Sequence, residues 1–280
     1  MKYIIVKLIK DSLGNILVAL RPKKVRQLSK KGLTLELGNN LNFPERLMRR
    51  ALLKKIEKAQ EYDKLAELHK SYWTKQGDNF VNYTENKLEN TNLPAYKTIL
   101  DVLKNEVSNE SIKFNKLIEI GTGNGSVLDY LSSRYSNIDS FIGIDLSEKQ
   151  TKINQEKYKN NNKLEFVGGD VLDWIENQEQ ANMVFLTFRG VLEYFTQPQL
   201  INFFEKLNTS GNIIFFAIEP TDSAHNFEEH PDSKVYGFEA SFSHNHKKLF
   251  EDAGFKIWYS DQKKESWHTN IMRIIGAKNF

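Results

Sequence analysis

From residue 115 onward the chain alternates between short apolar runs and amphipathic stretches. Apolar runs at 116–120, 140–145, 164–170, 181–187 and 211–219 predict strands. Between them, residues 125–134, 147–158, 171–177 and 197–207 predict helices. Strand and helix in alternation, joined by short connections, predict a parallel sheet with helices on both faces. Right-handed crossovers make such a sheet doubly wound, with a ligand crevice at the carboxyl ends of its strands. The C-terminal part breaks the pattern. "HNHKKLFEDAGF" predicts a helix closed by Gly254, and "KIWYS" and "NIMRIIGAK" predict two strands separated by a short polar segment. So close a pair cannot be a parallel crossover, and the last strand is expected to run antiparallel.

The N-terminal part follows a different pattern. "YIIVKLI" and "ILVAL" flank "KDSLGN", and with Gly14-Asn15 as the turn they predict a β-hairpin over residues 3–20. Residues 21–41 are basic and irregular. A long helix is expected from residue 43, capped by Asn42, with Pro44 in its first turn and Glu45 three positions beyond the cap. Leu47, Ala51, Leu52, Ile56, Ala59 and Leu65 then recur at helical spacing, as a packing face does. Residues 71–96 are polar, aromatic and loop-like, and a second helix is expected from Tyr96 to about Val107. The organisation expected is a basic extension over 1–70, made of hairpin and long helix, followed by the main domain over 71–280.

Charge sharpens that division. The net charge is +3, but residues 1–60 hold fifteen Lys and Arg against four Asp and Glu, a local balance of +11. The remainder carries −8. A basic arm of this kind docks on an acidic body, its own or a neighbour's, or serves nucleic acid or anionic lipid. The hairpin and long helix are expected to contribute to a homodimer. With 280 residues the chain can bury a core without staples, and it has no cysteine. Disulfides, thiolate metal sites and cysteine nucleophiles are thereby excluded. The lysine-interrupted N-terminus does not resemble a signal peptide, and no run is long enough to cross a bilayer. A cytoplasmic location is expected.

The chemistry concentrates at "LIEIGTGNG", residues 117–125. A strand runs into Gly121, Gly123 and Gly125 and then into a helix, a turn whose free N–H groups and positive dipole attract acceptors. Glu119 is a carboxylate set into the end of that buried strand, where it needs a cationic or donating partner. Asp145 ends the next strand and can accept from both hydroxyls of a ribose. Asp170 ends the third and could accept from a purine amine. Either aspartate could instead cap the helix that follows it, whereas Glu119 precedes the glycines and cannot.

"EIGTGNG" resembles motif I, E/D-x-G-x-G-x-G, of the class I S-adenosylmethionine-dependent methyltransferases, at all four defining positions. Asp145 in "GIDLS", Asp170-Val171 in "GGDVLD" and "FLTFRGVLEYF" at 185–195 resemble that family's ribose loop, adenine loop and the segment after strand four. The resemblance covers roughly 71–280. It implies a mostly parallel seven-stranded sheet with an antiparallel last strand, the Rossmann-like methyltransferase fold. It also implies S-adenosyl-L-methionine as cofactor and S-adenosyl-L-homocysteine as product. Glu119, Gly121, Thr122, Gly123, Gly125, Asp145, Leu146, Asp170, Val171 and Phe188 would hold the cofactor, with Glu119 near its ammonium group. Tyr72, Trp73, Phe80 and Tyr83 lie in a segment that either forms a lid in such enzymes or pins a loop to the sheet.

Methyl transfer from a sulfonium is an in-line displacement that needs positioning and dryness more than a base. His225, Glu193 and His244 are the candidate catalytic groups on the acceptor side; His230, His246, Tyr194 and Arg189 lie near them in sequence. The H-x-H spacing of His244 and His246 lacks a carboxylate partner at helical spacing, so no metal is expected. The D/N-P-P-Y/F motif of amino-directed adenine and glutamine methyltransferases is absent, since "TFRG" follows strand four. Cytosine C5 transfer is excluded with the cysteines. The expected acceptor is a small molecule. The alternatives are an RNA or protein acceptor held by the basic arm, a non-catalytic cofactor-binding module, and a nicotinamide-dependent oxidoreductase, against which Glu119 counts.

Overall fold

The structure is a computed structural model that describes residues 2–31, 41–176, 178, 182–264 and 270–280. In chain order its strands are β1 (Lys116–Ile120), β2 (Ser140–Asp145), β3 (Leu164–Gly168), β4 (Met183–Phe188), β5 (Ile213–Asp222), β6 (Lys234–Tyr236), β7 (Ser241–Ser243), β8 (Lys256–Lys264) and β9 (Asn270–Lys278). Seven of them form one sheet of order β3-β2-β1-β4-β5-β9-β8. The first five pair in parallel, and β9 runs antiparallel to both β5 and β8. The doubly wound sheet and its antiparallel last strand are therefore as the sequence predicts. Strand order reverses between β1 and β4, which puts the crevice at the carboxyl ends of β1 and β2.

The sheet is apolar on both faces because helices cover both. On one face Leu117, Val184, Leu186, Ile214 and Phe216 pack under α5 (Leu93–Asn109) and α6 (Ser126–Arg134). On the other, Ile118, Ile120, Phe185, Phe215 and Ala217 pack under α9 (Gln197–Asn208) and α10 (His246–Asp252). Helices α7 (Glu148–Lys157) and α8 (Val171–Ile175) complete the alternation, each capped by the residue before it, Ser147 and Asp170. The long insert after β5 folds back as an antiparallel pair, β6 with β7.

The N-terminal part departs from expectation. Residues 3–20 do not form a hairpin; they lie within helix α1 (Lys2–Leu20), which is followed by α2 (Pro22–Lys31). The reason lies at Gly14. A Cβ there would come 2.5 Å from the Leu47 carbonyl oxygen, so this glycine permits a close helix crossing and does not make a turn. Leu17 and Val18 join Leu28, Met48 and Leu65 in a separate small core, and Asp11 accepts from Arg50 at 2.7 Å and from Lys54. Helix α3 (Phe43–Lys58) begins as expected: Asn42 and Glu45 form a reciprocal capping box with Pro44 in the first turn.

The loop expected over 71–96 is also replaced by helix. Helix α4 (Tyr62–Lys87) runs unbroken through residue 70 and passes by a π-turn, Leu88–Asn92, into α5. Leu65, His69 and Tyr72 recur at helical spacing on its buried side, and the polar residues that suggest a loop are its solvent side. If α1 is a helix held by close approach, Gly14→Val should destabilise the chain by about 1–3 kcal/mol, the usual cost of overpacking. Asn15→Ala, on the exposed side, should be neutral or slightly stabilising. Urea denaturation distinguishes this from a hairpin, in which Asn15 would be the sensitive position.

Candidate functional site

The site grows from the end of β1. Gly121 and Thr122 donate their N–H groups to the Ile144 carbonyl, at 2.8 and 3.2 Å, and the chain then turns through Gly123 and Gly125 into α6. Gly121 and Gly123 have φ of +68° and +52°, which side chains other than glycine's disfavour. Asp145, at the end of β2, accepts from the Gly123 N–H through Oδ2 and from the Ser147 N–H through Oδ1, both at 2.9 Å. It thereby joins the glycine turn to the neighbouring strand end. Burial pushes its carboxyl up, against the two backbone hydrogen bonds.

Glu119 stands one residue back on β1, 2 % exposed, and accepts from the Thr122 hydroxyl at 2.7 Å. Burial pushes it up to about 8; the Thr122 bond opposes that shift and the Asp145 charge adds to it. Among the described residues no Lys, Arg or His forms an ion pair with Glu119 or Asp145. A buried and a half-buried carboxyl on adjacent strands without a cation are costly when ionised. A ligand that brought an ammonium group and hydroxyls would satisfy both. The donor set therefore suits an aminoacyl nucleoside.

Helix α4 lies over this turn. Lys70 pairs with Asp170 at 2.7 Å, at the end of β3. At Gly77 the helix approaches so closely that an added Cβ would sit 3.2 Å from the Ser147 Cβ, at the end of β2. Asp78 pairs with Lys149 at 2.6 Å. A Cβ on Gly123 would meet Val81 at 3.6 Å, and one on Gly121 would meet Val191 at 2.7 Å. Asn124 donates to Glu85 and Glu89 at 3.3 and 3.1 Å. One helix thus crosses three successive strand ends, and Val81 and Val191 sit against the glycines that a ligand would touch.

The predicted cofactor residues fall into two groups. Glu119, Gly121, Thr122, Gly123, Gly125 and Asp145 are brought together, with Leu146 following Asp145 at the same strand end. Asp170 is on the same rim but engaged, since Oδ1 accepts the Leu172 N–H at 2.9 Å as a helix cap and Oδ2 holds Lys70. Val171 is buried under the sheet, and Phe188 meets Tyr96 edge-on at 5.4 Å. Of the four aromatics expected in a lid, Trp73 packs against Tyr72, Phe80 and the Tyr194 ring, whereas Tyr83 is 68 % exposed. The buried Trp73 indole N–H has no acceptor.

On the acceptor side, the three catalytic candidates are held by other groups. His225 lies between the Ser243 hydroxyl and the His230 carbonyl, 2.9 Å from each. His244 lies between the Ser233 hydroxyl at 2.6 Å and the Leu192 carbonyl at 3.1 Å, and burial pushes it down to about 3. In both rings Nε2 faces a carbonyl and so carries the proton, leaving Nδ1 to accept. Glu193 accepts from Tyr236 at 2.9 Å and Ser241 at 2.6 Å, and burial together with the Glu239 charge pushes it well up. Two further acids were not foreseen. Glu219 Oε2 accepts the Val191 and Leu192 N–H groups at 2.9 and 3.1 Å, holding the turn after β4, and burial pushes it up to about 7. Glu239 accepts from the Tyr194 hydroxyl at 2.8 Å. The signal for Glu219 is the one Glu119 gives: a carboxylate near the end of an otherwise apolar strand, "NIIFFAIE". Glu239 lies in a loop with no such signal.

With that geometry in hand, likeness to known proteins becomes informative. Residues 117–210 match a family model described as a methyltransferase domain. Over that stretch, about a third of its length, the chain is similar to a methyltransferase domain, and the match begins at β1 and includes the glycine turn and Asp145. Among curated proteins, none matches by sequence. Among solved structures, an S-adenosylmethionine-dependent methyltransferase from Leishmania major is similar over 80 % of this chain and 90 % of its own, with a TM-score of 0.54 and 10 % identity. That likeness shows the fold. Magnesium protoporphyrin IX methyltransferase from Synechocystis is similar over 65 % of this chain and 79 % of its own, with a TM-score of 0.45 and 16 % identity.

The state of Glu119 is measurable in this protein. Its carboxyl is raised in the folded chain above the ordinary 4.5, so the fold binds a proton that the unfolded chain releases. That contribution is fully present below about 4.5 and is lost as pH rises towards about 8. Glu119→Gln should therefore leave Tm nearly unchanged near pH 4 and raise it near pH 8 by at least roughly 2–4 °C, the shift expected per kcal/mol in a chain of this size class. Calorimetry of the ligand-free protein across that range checks it; an equal effect at both pH values would contradict the assignment.

Proposed function

We propose that this chain methylates a small-molecule acceptor, with the cofactor held between the glycine turn and α4. The observation that carries the reading is the pair of carboxyls, Glu119 buried and Asp145 half-buried, flanking a glycine turn with no cation paired to them among the described residues. Glu119 would receive the cofactor's ammonium group and Asp145 its ribose hydroxyls, exchanging backbone donors for ligand donors. Thr122 fixes the Glu119 carboxyl through its hydroxyl. Leu146 and Val171 would border the base, with Phe188 towards the methionine end and Asp170 available only when Lys70 releases it. S-adenosylmethionine supplies a methyl group already activated by its sulfonium, so the protein's part is positioning and exclusion of water.

Val81, Gly77 and Val191 fill the approach in this closed arrangement, so entry requires α4 to move outward from the strand ends. Return of α4 would then shut the crevice with Trp73 against Tyr194. The acceptor would enter from the side of Arg189, Glu193 and Tyr194, beneath the β6–β7 pair. His225 and His244 act there as positioning groups, because a free ring nitrogen would require breaking the Ser243 or Ser233 bond. Glu193 holds Tyr236 and Ser241 around the same opening. A cytoplasmic enzyme fits a cofactor made there, and belongs to the same proposal.

Titration calorimetry with S-adenosyl-L-homocysteine tests the site. Asp145→Ala should weaken binding about 10- to 100-fold, as expected for hydrogen bonds to a charged group. Trp73 emission should change on binding, because its ring borders the moving helix. Wild-type affinity in Asp145→Ala and Glu119→Ala together would overturn the site, whereas cofactor binding without transfer to any small acceptor would overturn only the substrate class.

A further inference from the structure

Helix α1 has two faces that meet different surroundings. On one, Asp11 is tied to Arg50 and Lys54, Gly14 touches the backbone of α3, and Leu17 and Val18 enter the small N-terminal core. On the other, Ile9, Leu13, Ile16 and Leu20 are 54, 46, 54 and 74 % exposed. At about 100° per residue these four side chains fall within an arc of about 60°. They form a stripe of large apolar groups in water, on a helix that is already anchored through its opposite face. Scattered exposed apolar residues need no explanation, but an aligned stripe does.

The stripe ends in a basic recess. Leu20 borders a cavity of about 590 Å³ lined also by Arg21, Pro22, Lys23, Lys24, Asn42 and Glu45. Lys24 pairs with Glu45. Among the described residues neither Arg21 nor Lys23 has a carboxylate partner, and both are exposed. Over α1 and α2, residues 2–31, nine Lys and Arg face a single acid, Asp11, which is spent on α3.

We infer that α1 and the α1–α2 junction form a peripheral docking surface for an anionic lipid bilayer. The stripe enters the boundary between headgroups and acyl chains, and Arg21 and Lys23 take headgroup phosphates. Charge selects this occupant. A second copy of the chain would cover the stripe but would bring two strongly basic faces together. An RNA would match the charge and leave four large apolar side chains in water. A bilayer rich in anionic lipid satisfies both halves at once. Among the described residues no helix is long and apolar enough to cross a membrane, so the contact is one of lying on the surface. The inference does not depend on the methyl-transfer reading.

Co-sedimentation of the full chain with phosphatidylcholine vesicles, with and without phosphatidylserine, tests it. Binding is expected only with phosphatidylserine. Leu13→Ser/Ile16→Ser should weaken it at least about tenfold, given about 0.8 kcal/mol for each buried CH2. Arg21→Glu/Lys23→Glu should weaken it comparably, with unchanged circular dichroism for both variants. Absence of binding to either vesicle would overturn the inference. So would binding that the Leu13→Ser/Ile16→Ser variant retains, or a dimer in light scattering that this variant converts to monomer. RNA binding lost with Arg21→Glu/Lys23→Glu but kept with Leu13→Ser/Ile16→Ser, in a chain that ignores vesicles, would assign the surface to nucleic acid.

Discussion

Two carboxyl groups, Glu119 buried and Asp145 half-buried, stand at adjacent strand ends with no cation paired to them among the described residues, and the rest of the site is arranged around that constraint. Ionised and dry, they would repel each other and lack solvation. The chain answers with donors that cost it little: backbone N–H groups of Gly123 and Ser147 for Asp145, the Thr122 hydroxyl for Glu119. These donors are enough to hold the geometry and too few to keep Glu119 at its ordinary acidity. A site that is electrostatically incomplete in its closed form favours any ligand that carries the missing positive charge. The glycines matter for the same reason, since they let backbone donors reach Asp145 and let Val191 and Val81 close down on the turn.

Helix α4 links this site to the remainder of the molecule. Its C-terminal half covers the strand ends through Gly77 and Val81, and its N-terminal half belongs to the small core with α1, α2 and α3. That core also takes in Val235, Ala240 and Phe242 around the β6–β7 pair. His69 donates to the Ala240 carbonyl at 3.0 Å, and Arg49 to the Phe238 carbonyl at 3.0 Å. The cover over the crevice and the insert beside the acceptor opening are therefore joined through the N-terminal helices. Movement of α4 has to be accommodated by those contacts, which combine an apolar core smaller than those on either face of the sheet with the two hydrogen bonds from His69 and Arg49.

What was legible in the sequence was local or strictly periodic. The strands of the sheet, the antiparallel last strand, the capping box at Asn42 and the glycine turn each follow from neighbouring residues. The hairpin expected over 3–20 fails because "YIIVKLI" is apolar at nearly every position and fits a strand or a helix equally, and because Gly14 makes room for a carbonyl 33 residues away in sequence. Helix α4 is hidden because polar residues such as His69 and Asp78 lie on its buried side, and only its burial against distant strand ends reveals the period. The histidines are only candidate bases in the sequence, because the partners that hold them, Ser243, Ser233 and the Leu192 carbonyl, are chosen by tertiary packing. Asp170 shows the limit most clearly: strand-end position suggests a ligand, cap geometry and Lys70 satisfy it without one, and no rule of sequence weighs the two.

The uneven charge acquires a physical meaning from this architecture. The basic excess lies in the helices that form the N-terminal core, and the acidic balance lies in the domain that holds the site. Within the chain, Lys70 meets Asp170 across the crevice, while Arg50 and Lys54 clasp Asp11 inside the N-terminal core. Arg21 and Lys23, at the α1–α2 junction, are exposed and border the same recess as Leu20, the last residue of the apolar stripe of α1. A surface of that composition gains by leaving water only where negative charge and apolar groups are layered together, as at a bilayer boundary. Because the helices that carry it are packed on α4, contact made at that surface and closure made over the glycine turn involve one continuous body of side chains.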